Sequence, residues 1–212
     1  MKWLTLFSLI PGLALLFIQC FPQDSSEGET VTVASSEYVL PFPVGNQYLV
    51  TQANNSPWSS WSHSESAFNG VFRYAYDFDM PVGTILTAAK EGTVVYIVEI
   101  YSDGDITLGH ENVLVVDHGD GTYSRYIHIK KEGALVSVGV AVQKGDTIAL
   151  SGNTGRTLNQ PHLHFDVVKP MAGQLPDITS QSIFVSFRNS TAFPNELKRG
   201  TKYMALNYKQ IH

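Results

Sequence analysis

Asn112-Val113-Leu114-Val115-Val116-Asp117-His118-Gly119-Asp120-Gly121-Thr122-Tyr123-Ser124-Arg125-Tyr126-Ile127-His128-Ile129 reads as two β-strands joined by a tight turn. β-Branched and aromatic residues crowd both arms, and the Asp-Gly between them is a strong hairpin signal. Upstream, Gly92-Thr93-Val94-Val95-Tyr96-Ile97-Val98 reads as another strand. From Tyr38 onward short β-rich runs alternate with Gly, Asp and Asn turns, and no segment sustains a 3.6-residue apolar period. The expected fold class is all-β. Regular alternation along the second arm puts Tyr126 and His128 on one face.

Glycine-hinged segments also repeat. Pro81-Val82-Gly83-Thr84-Ile85-Leu86 is echoed by Gln143-Lys144-Gly145-Asp146-Thr147-Ile148, each turning at glycine before entering a strand. Biotinyl and lipoyl carrier domains share such duplicated strands, but a lysine flanked by small hydrophobic residues at a hairpin tip is missing, so a carrier role is a poor fit.

Further along, Pro161-His162-Leu163-His164-Phe165-Asp166 has strand character. Strand side chains alternate, so His162 and His164 project together while Leu163 and Phe165 point into a core. Zinc takes neutral imidazole nitrogens, and a hydrolytic site needs about three protein ligands plus an open position. The alternative is that both histidines only decorate a strand face. Asp166 shares their face, where it either fixes a histidine tautomer or is hydrated. Asp77, in Tyr74-Ala75-Tyr76-Asp77-Phe78-Asp79-Met80, closes an aromatic strand, and its carboxylate is either solvated or coordinating.

The chain has 212 residues, 43% hydrophobic and 16% charged, which suits one well-buried domain. A net charge of -5 and the lack of a basic stripe argue against nucleic acid as a partner. Residues 1–20 carry Lys2, then an apolar run interrupted by Pro11 and Gly12. That pattern reads as an export signal rather than a membrane-spanning helix, which wants about 18 to 20 uninterrupted apolar residues. Cys20 is the single cysteine, so no internal disulfide is available. Leu16-Phe17-Ile18-Gln19-Cys20 resembles a bacterial lipobox, with Gln19 departing from the usual small residue, and implies a lipid anchor at Cys20. Residues 21–37 are polar and aperiodic, as a tether would be. The domain is expected over 38–212, with its core at 62–167 and closing strands at 180–205.

Taken in order, these motifs resemble the lysostaphin and LytM type of zinc metallopeptidase, which cuts peptide bonds in bacterial peptidoglycan. The matching residues are Asp77 before Pro-Val-Gly-Thr, Gly-Asp-Gly-Thr-Tyr before Tyr126-Ile127-His128, Ser-Gly-Asn-Thr-Gly, and the His162/His164 pair. The resemblance covers roughly 62–167 and implies an antiparallel β-sandwich or open barrel. It implies Asp77 and His164 as Zn²⁺ ligands, with His162 and His128 in acid–base and oxyanion work. The commonest family pattern has a ligand histidine four residues before the carboxylate, where this chain has Arg73. A variant carries Ser-His further upstream, and Ser62-His63 fits it, so His63 is the third expected ligand.

His162 is then the expected base, sharing a strand face with His164, and His128 the donor to the oxyanion. The resemblance implies an enzyme exported to the bacterial cell envelope, whose substrate is the peptide part of peptidoglycan, and a monomer is expected. Two rivals come from other classes. One is a zinc-free regulatory or wall-binding domain that activates other wall hydrolases. The other is a passive sugar-binding sandwich using Trp58, Trp61, Phe68, Phe72, Tyr74 and Tyr76. His118 either orients the site or caps its turn, and His110 and His212 read as surface residues.

Overall fold

The computed structural model describes residues 37–54, 63–64, 67–171, 173–177 and 179–209. The leader, Cys20 and the tether through residue 36 lie outside these, as do Trp58, Trp61 and His212. No helix among the described residues is long and apolar enough to cross a membrane.

Eleven strands and one 3-10 turn, Ala67–Gly70, make up the regular structure among the described residues. The strands are β1 (Gln47–Gln52), β2 (Tyr76–Asp79), β3 (Ile85–Thr87), β4 (Gly92–Val98), β5 (Val113–Asp117), β6 (Tyr123–Ile127), β7 (Ile129–Ala134), β8 (Ala141–Val142), β9 (Thr147–Ser151), β10 (His162–Val168) and β11 (Lys202–Met204). Eight form one sheet in the order β11-β1-β2-β10-β6-β5-β4-β8, and β3-β9-β7 form a second. Every strand pairing is antiparallel. The all-β antiparallel expectation holds.

The repeated segments explain the smaller sheet. Gly83 and Gly145 both turn with positive φ, 89° and 87°, a conformation that costs glycine nothing. β3 and β9, which follow them, pair with each other, Ile85 opposite Leu150. The core lies under the central strands. Leu163, Phe165 and Val167 of β10, Tyr126 of β6 and Phe78 of β2 are fully buried in one cluster, as strand alternation requires.

Two expectations change. β6 ends at Ile127, His128 adopts φ 68°, and β7 begins at Ile129. Tyr126 therefore stays in the core, its hydroxyl accepting from the Ala89 amide at 2.7 Å, while His128 does not share its face. The positive φ breaks the alternation and brings the imidazole to the opposite side of the sheet. In the 180–205 segment, Lys202–Met204 is a strand and Ser182 forms a single bridge to Val168. Much of the remainder is irregular chain held by side chains: Val185 and Phe187 enter the core, and Asn189 Oδ1 accepts from the Leu40 amide at 2.7 Å.

Candidate metal centre

Antiparallel register assembles the site. β10 lies between β2 and β6, with His164 directly opposite Asp77 on one side and Ile127 on the other. Directly opposed residues share a face, so the carboxylate and the imidazole meet. His63 reaches them from the chain before the 3-10 turn and is fully buried.

Three donor atoms converge. Asp77 Oδ1 lies 3.0 Å from His164 Nδ1 and 3.3 Å from His63 Nε2, and the two nitrogens are 3.3 Å apart. Among the described residues these three form a buried group able to share one cation. Bonds of about 2.0–2.1 Å to a tetrahedral zinc would separate the donors by about 3.3 Å, close to what is seen. Asp77 Oδ1 is also buried and accepts no hydrogen bond, although two imidazole nitrogens crowd it. A shared cation accounts for both facts, and two nitrogens with one carboxylate suit zinc.

The carboxylate and the imidazoles also stabilise one another's charged forms. Burial works to raise the pKa of Asp77, but the His63, His162 and His164 imidazoles overcome it and hold the carboxyl well below its usual range. His164 is opposed by burial and supported by Asp166 and Asp77, which together lift it to about 9.

The neighbouring residues orient this group. Gln52 Nε2 donates to Asp77 Oδ2 at 2.5 Å, leaving Oδ1 for the metal position. Asp166 Oδ2 lies 3.6 Å from His164 Nε2, within ion-pair reach but beyond a hydrogen bond. Asp166 is itself fully buried and gripped by Arg125, Nε to Oδ1 at 2.8 Å and Nη2 to Oδ2 at 2.5 Å. Burial would raise the Asp166 pKa, yet Arg125 and His164 depress it far below the usual range. Arg125 Nη1 also donates to the Asp177 carbonyl at 2.6 Å, tying the sheet to the loop beside the groove.

Two further imidazoles flank the trio. His162 Nδ1 meets the Gln160 carbonyl at 2.7 Å, and His128 Nδ1 meets the Thr154 carbonyl at 2.6 Å. A carbonyl only accepts, so both rings carry a proton on Nδ1, and His128, whose pKa burial lowers, keeps a lone pair on Nε2. Their centroids are 4.6 Å apart, and His162 Nε2 lies 3.8 Å from Asp77 Oδ2. Burial, followed by the His162 and His164 rings, keeps His128 neutral well below the usual imidazole range. An open groove of about 1330 Å³ runs across the sheet over these groups. Leu49 and Arg199 line one part of it, and Ile127, Val113 and Tyr96 another.

Every expected site residue among the described ones therefore gathers here: His63, Asp77, His128, His162 and His164. Gln52 and Arg125 were not anticipated. Arg125 had a signal, since alternation places a lone cation on the face opposite Tyr126. Gln52 had none, because only the β1–β2 pairing brings it to Asp77. His118 belongs elsewhere, bonded to the Glu91 carbonyl and the Ser124 hydroxyl, both at 2.7 Å. His110 pairs with Asp105 at 2.8 Å and stacks on Tyr101 at the surface. Tyr76 is a core residue, not a sugar platform.

A fold of antiparallel sheets that brings a His-Asp-His trio and two further imidazoles to one groove defines a metallopeptidase class. Residues 71–176, half of the chain, match Peptidase family M23, and the chain belongs to that family. Peptidoglycan DD-endopeptidase ShyA of Vibrio cholerae is 38% identical over 95 residues, 43% of this chain and 19% of its own. Murein hydrolase activator EnvC of Escherichia coli is 38% identical over 88 residues, 39% of this chain and 20% of its own. A crystal structure of a zinc-containing peptidase from Vibrio cholerae is 29% identical, with a TM-score of 0.44, covering 66% of this chain and 41% of that one. The chain thus spans about a fifth of the length of the two curated relatives.

Proposed function

We propose that this protein is a zinc-dependent endopeptidase that hydrolyses peptide cross-links of bacterial peptidoglycan. The observation that carries the reading is the trio of His63 Nε2, Asp77 Oδ1 and His164 Nδ1 within 3.0–3.3 Å of one another, flanked by the His128 and His162 imidazoles. Zinc held by that trio supplies Lewis acidity and an acidified water at neutral pH. The remaining work falls to the chain's own residues. His162 is the base: its Nδ1–H is fixed on Gln160, and its Nε2 lies 3.8 Å from the Asp77 carboxylate, beside the metal position. His128, held neutral, accepts at Nε2 and orients a reactant N–H or O–H. The proton that His162 takes from the attacking water goes to the leaving amine nitrogen as the peptide C–N bond breaks. In its Nδ1–H tautomer His128 thus acts as an acceptor rather than as the expected oxyanion donor. The apolar part of the groove at Val113 and Ile127 seats substrate side chains away from water.

Similarity to ShyA supports peptidoglycan as substrate, and with it an exported protein acting in the cell envelope. The sequence of residues 16–20 supports attachment there through lipid on Cys20. The test uses the purified protein. We expect one equivalent of zinc, release of peptides from purified sacculi, loss of release on chelation and recovery on adding zinc back. Less than about half an equivalent with no cleavage would overturn the reading in favour of a zinc-free wall-binding or activating domain.

A further inference from the structure

His128 reaches the groove through a backbone turned against its strand. A non-glycine residue at φ 68° persists only where its surroundings over-determine it. Two fully buried polar residues do so here, Asn112 and Thr154. The Asn112 carbonyl accepts from the amides of His128, at 2.9 Å, and Ile129, at 3.3 Å. Its side-chain amide donates to the Ile129 carbonyl at 3.2 Å and the Tyr101 carbonyl at 2.9 Å, and Oδ1 accepts from the Tyr101 amide at 3.0 Å. Thr154 completes the cage: Oγ1 accepts from the Asn112 amide at 3.1 Å and donates to the Ile129 carbonyl at 3.2 Å, while its carbonyl takes His128 Nδ1–H at 2.6 Å.

This network clamps the peptide on both sides of the reversed residue and sets which ring nitrogen carries the proton. Neither side chain lines the groove, so any effect on chemistry must pass through His128. Resting on the endopeptidase reading above, we propose that Asn112 and Thr154 are positioning residues: they hold His128 in its left-handed conformation and in the tautomer that leaves Nε2 as the acceptor.

The test is a double-mutant cycle on the zinc-loaded protein with a peptidoglycan fragment. Thr154→Val keeps the shape and removes the hydroxyl, and should lower kcat by about ten- to a hundredfold with KM and zinc content unchanged. Thr154→Ser, which keeps the hydroxyl, should restore turnover. In a His128→Ala background Thr154→Val should cost nothing further, since the residue it positions is gone. An equal loss in both backgrounds would overturn the proposal. Ring nitrogen NMR of the wild type gives a readout free of activity: His128 should be the Nδ1–H tautomer, and Thr154→Val should mix the two forms. A wild-type ring protonated on Nε2 overturns the proposal even if Thr154→Val does not fold. If the wild type binds zinc but cleaves nothing, the functional reading fails, and the spectra still decide the positioning role.

Discussion

Leu163, Phe165 and Val167 point from β10 into the core, while His162, His164 and Asp166 point from the same strand toward the groove. All six but His162 are buried. On the core side burial needs only packing, and Phe165 obtains it from Tyr126 and Phe187, with ring centroids at 5.2 and 5.8 Å. On the groove side each buried polar atom needs a partner or it destabilises the fold. Asp166 finds Arg125, and the trio has a shared cation as its natural partner. One strand thus serves stability on one face and chemistry on the other, and substitutions should separate the two.

The sharpest separation comes from His164→Ala, which should abolish stoichiometric zinc binding and peptidoglycan cleavage together. A variant that retains a full equivalent by metal analysis breaks the comparison at its centre. The neighbouring core substitution, Phe165→Ala, should behave oppositely. It should cost about 3–5 kcal/mol in denaturant unfolding, while the fraction that stays folded keeps its zinc.

Arg125 and Asp166 test whether groove-side burial is expensive for the reason given. Arg125→Met strands a buried carboxylate and should cost about 3–5 kcal/mol of stability. Adding Asp166→Leu removes the stranded charge and should recover much of that loss. The double variant should nevertheless bind zinc about 10- to 100-fold more weakly, because His164 Nε2 has lost its carboxylate. Zinc affinity that tracks stability through both steps would show that Asp166 only packs.

Much of this division was legible in the sequence. The alternation of Pro161-His162-Leu163-His164-Phe165-Asp166 separates the two faces because a strand's period is two, and the structure follows it. His128 was legible as a site residue only through resemblance, since alternation sent it to the face of Tyr126. A reversal at one φ angle, fixed by Asn112 and Thr154 from distant loops, leaves no mark in a local pattern. Gln52 was illegible for a similar reason: it acts by pairing across β1 and β2, a contact that hydrophobic periodicity does not encode. The closing segment misled because Ile183, Val185 and Phe187 look like a strand's apolar run, while the chain there packs as irregular backbone.

The reversal at His128 can be weighed directly. Glycine tolerates φ 68° and alanine does not, so His128→Gly should be more stable than His128→Ala by about 1 kcal/mol. In an ordinary strand the order is the reverse. Equal stabilities in urea would mean that the backbone is not strained at this point.

The smallest effect concerns His118, the core-side counterpart of the groove imidazoles. Its Nδ1–H is satisfied by the Glu91 carbonyl and its Nε2 by the Ser124 hydroxyl, and Ser124 is fully buried on the core face of β6. Burial, with a contribution from Lys90, lowers its pKa below the usual imidazole value. The folded state therefore resists a proton that the unfolded chain accepts near pH 6.5, so stability is fully present above that pH and falls as the pH drops toward the folded value. His118→Gln offers the same donor and acceptor without titrating. Thermal unfolding between pH 8 and 5 should show a shallower pH dependence for this variant than for the wild type, with zinc binding unchanged. Identical slopes would mean that His118 titrates alike in both states, and a change in zinc binding would mean that the two faces of β6 are coupled.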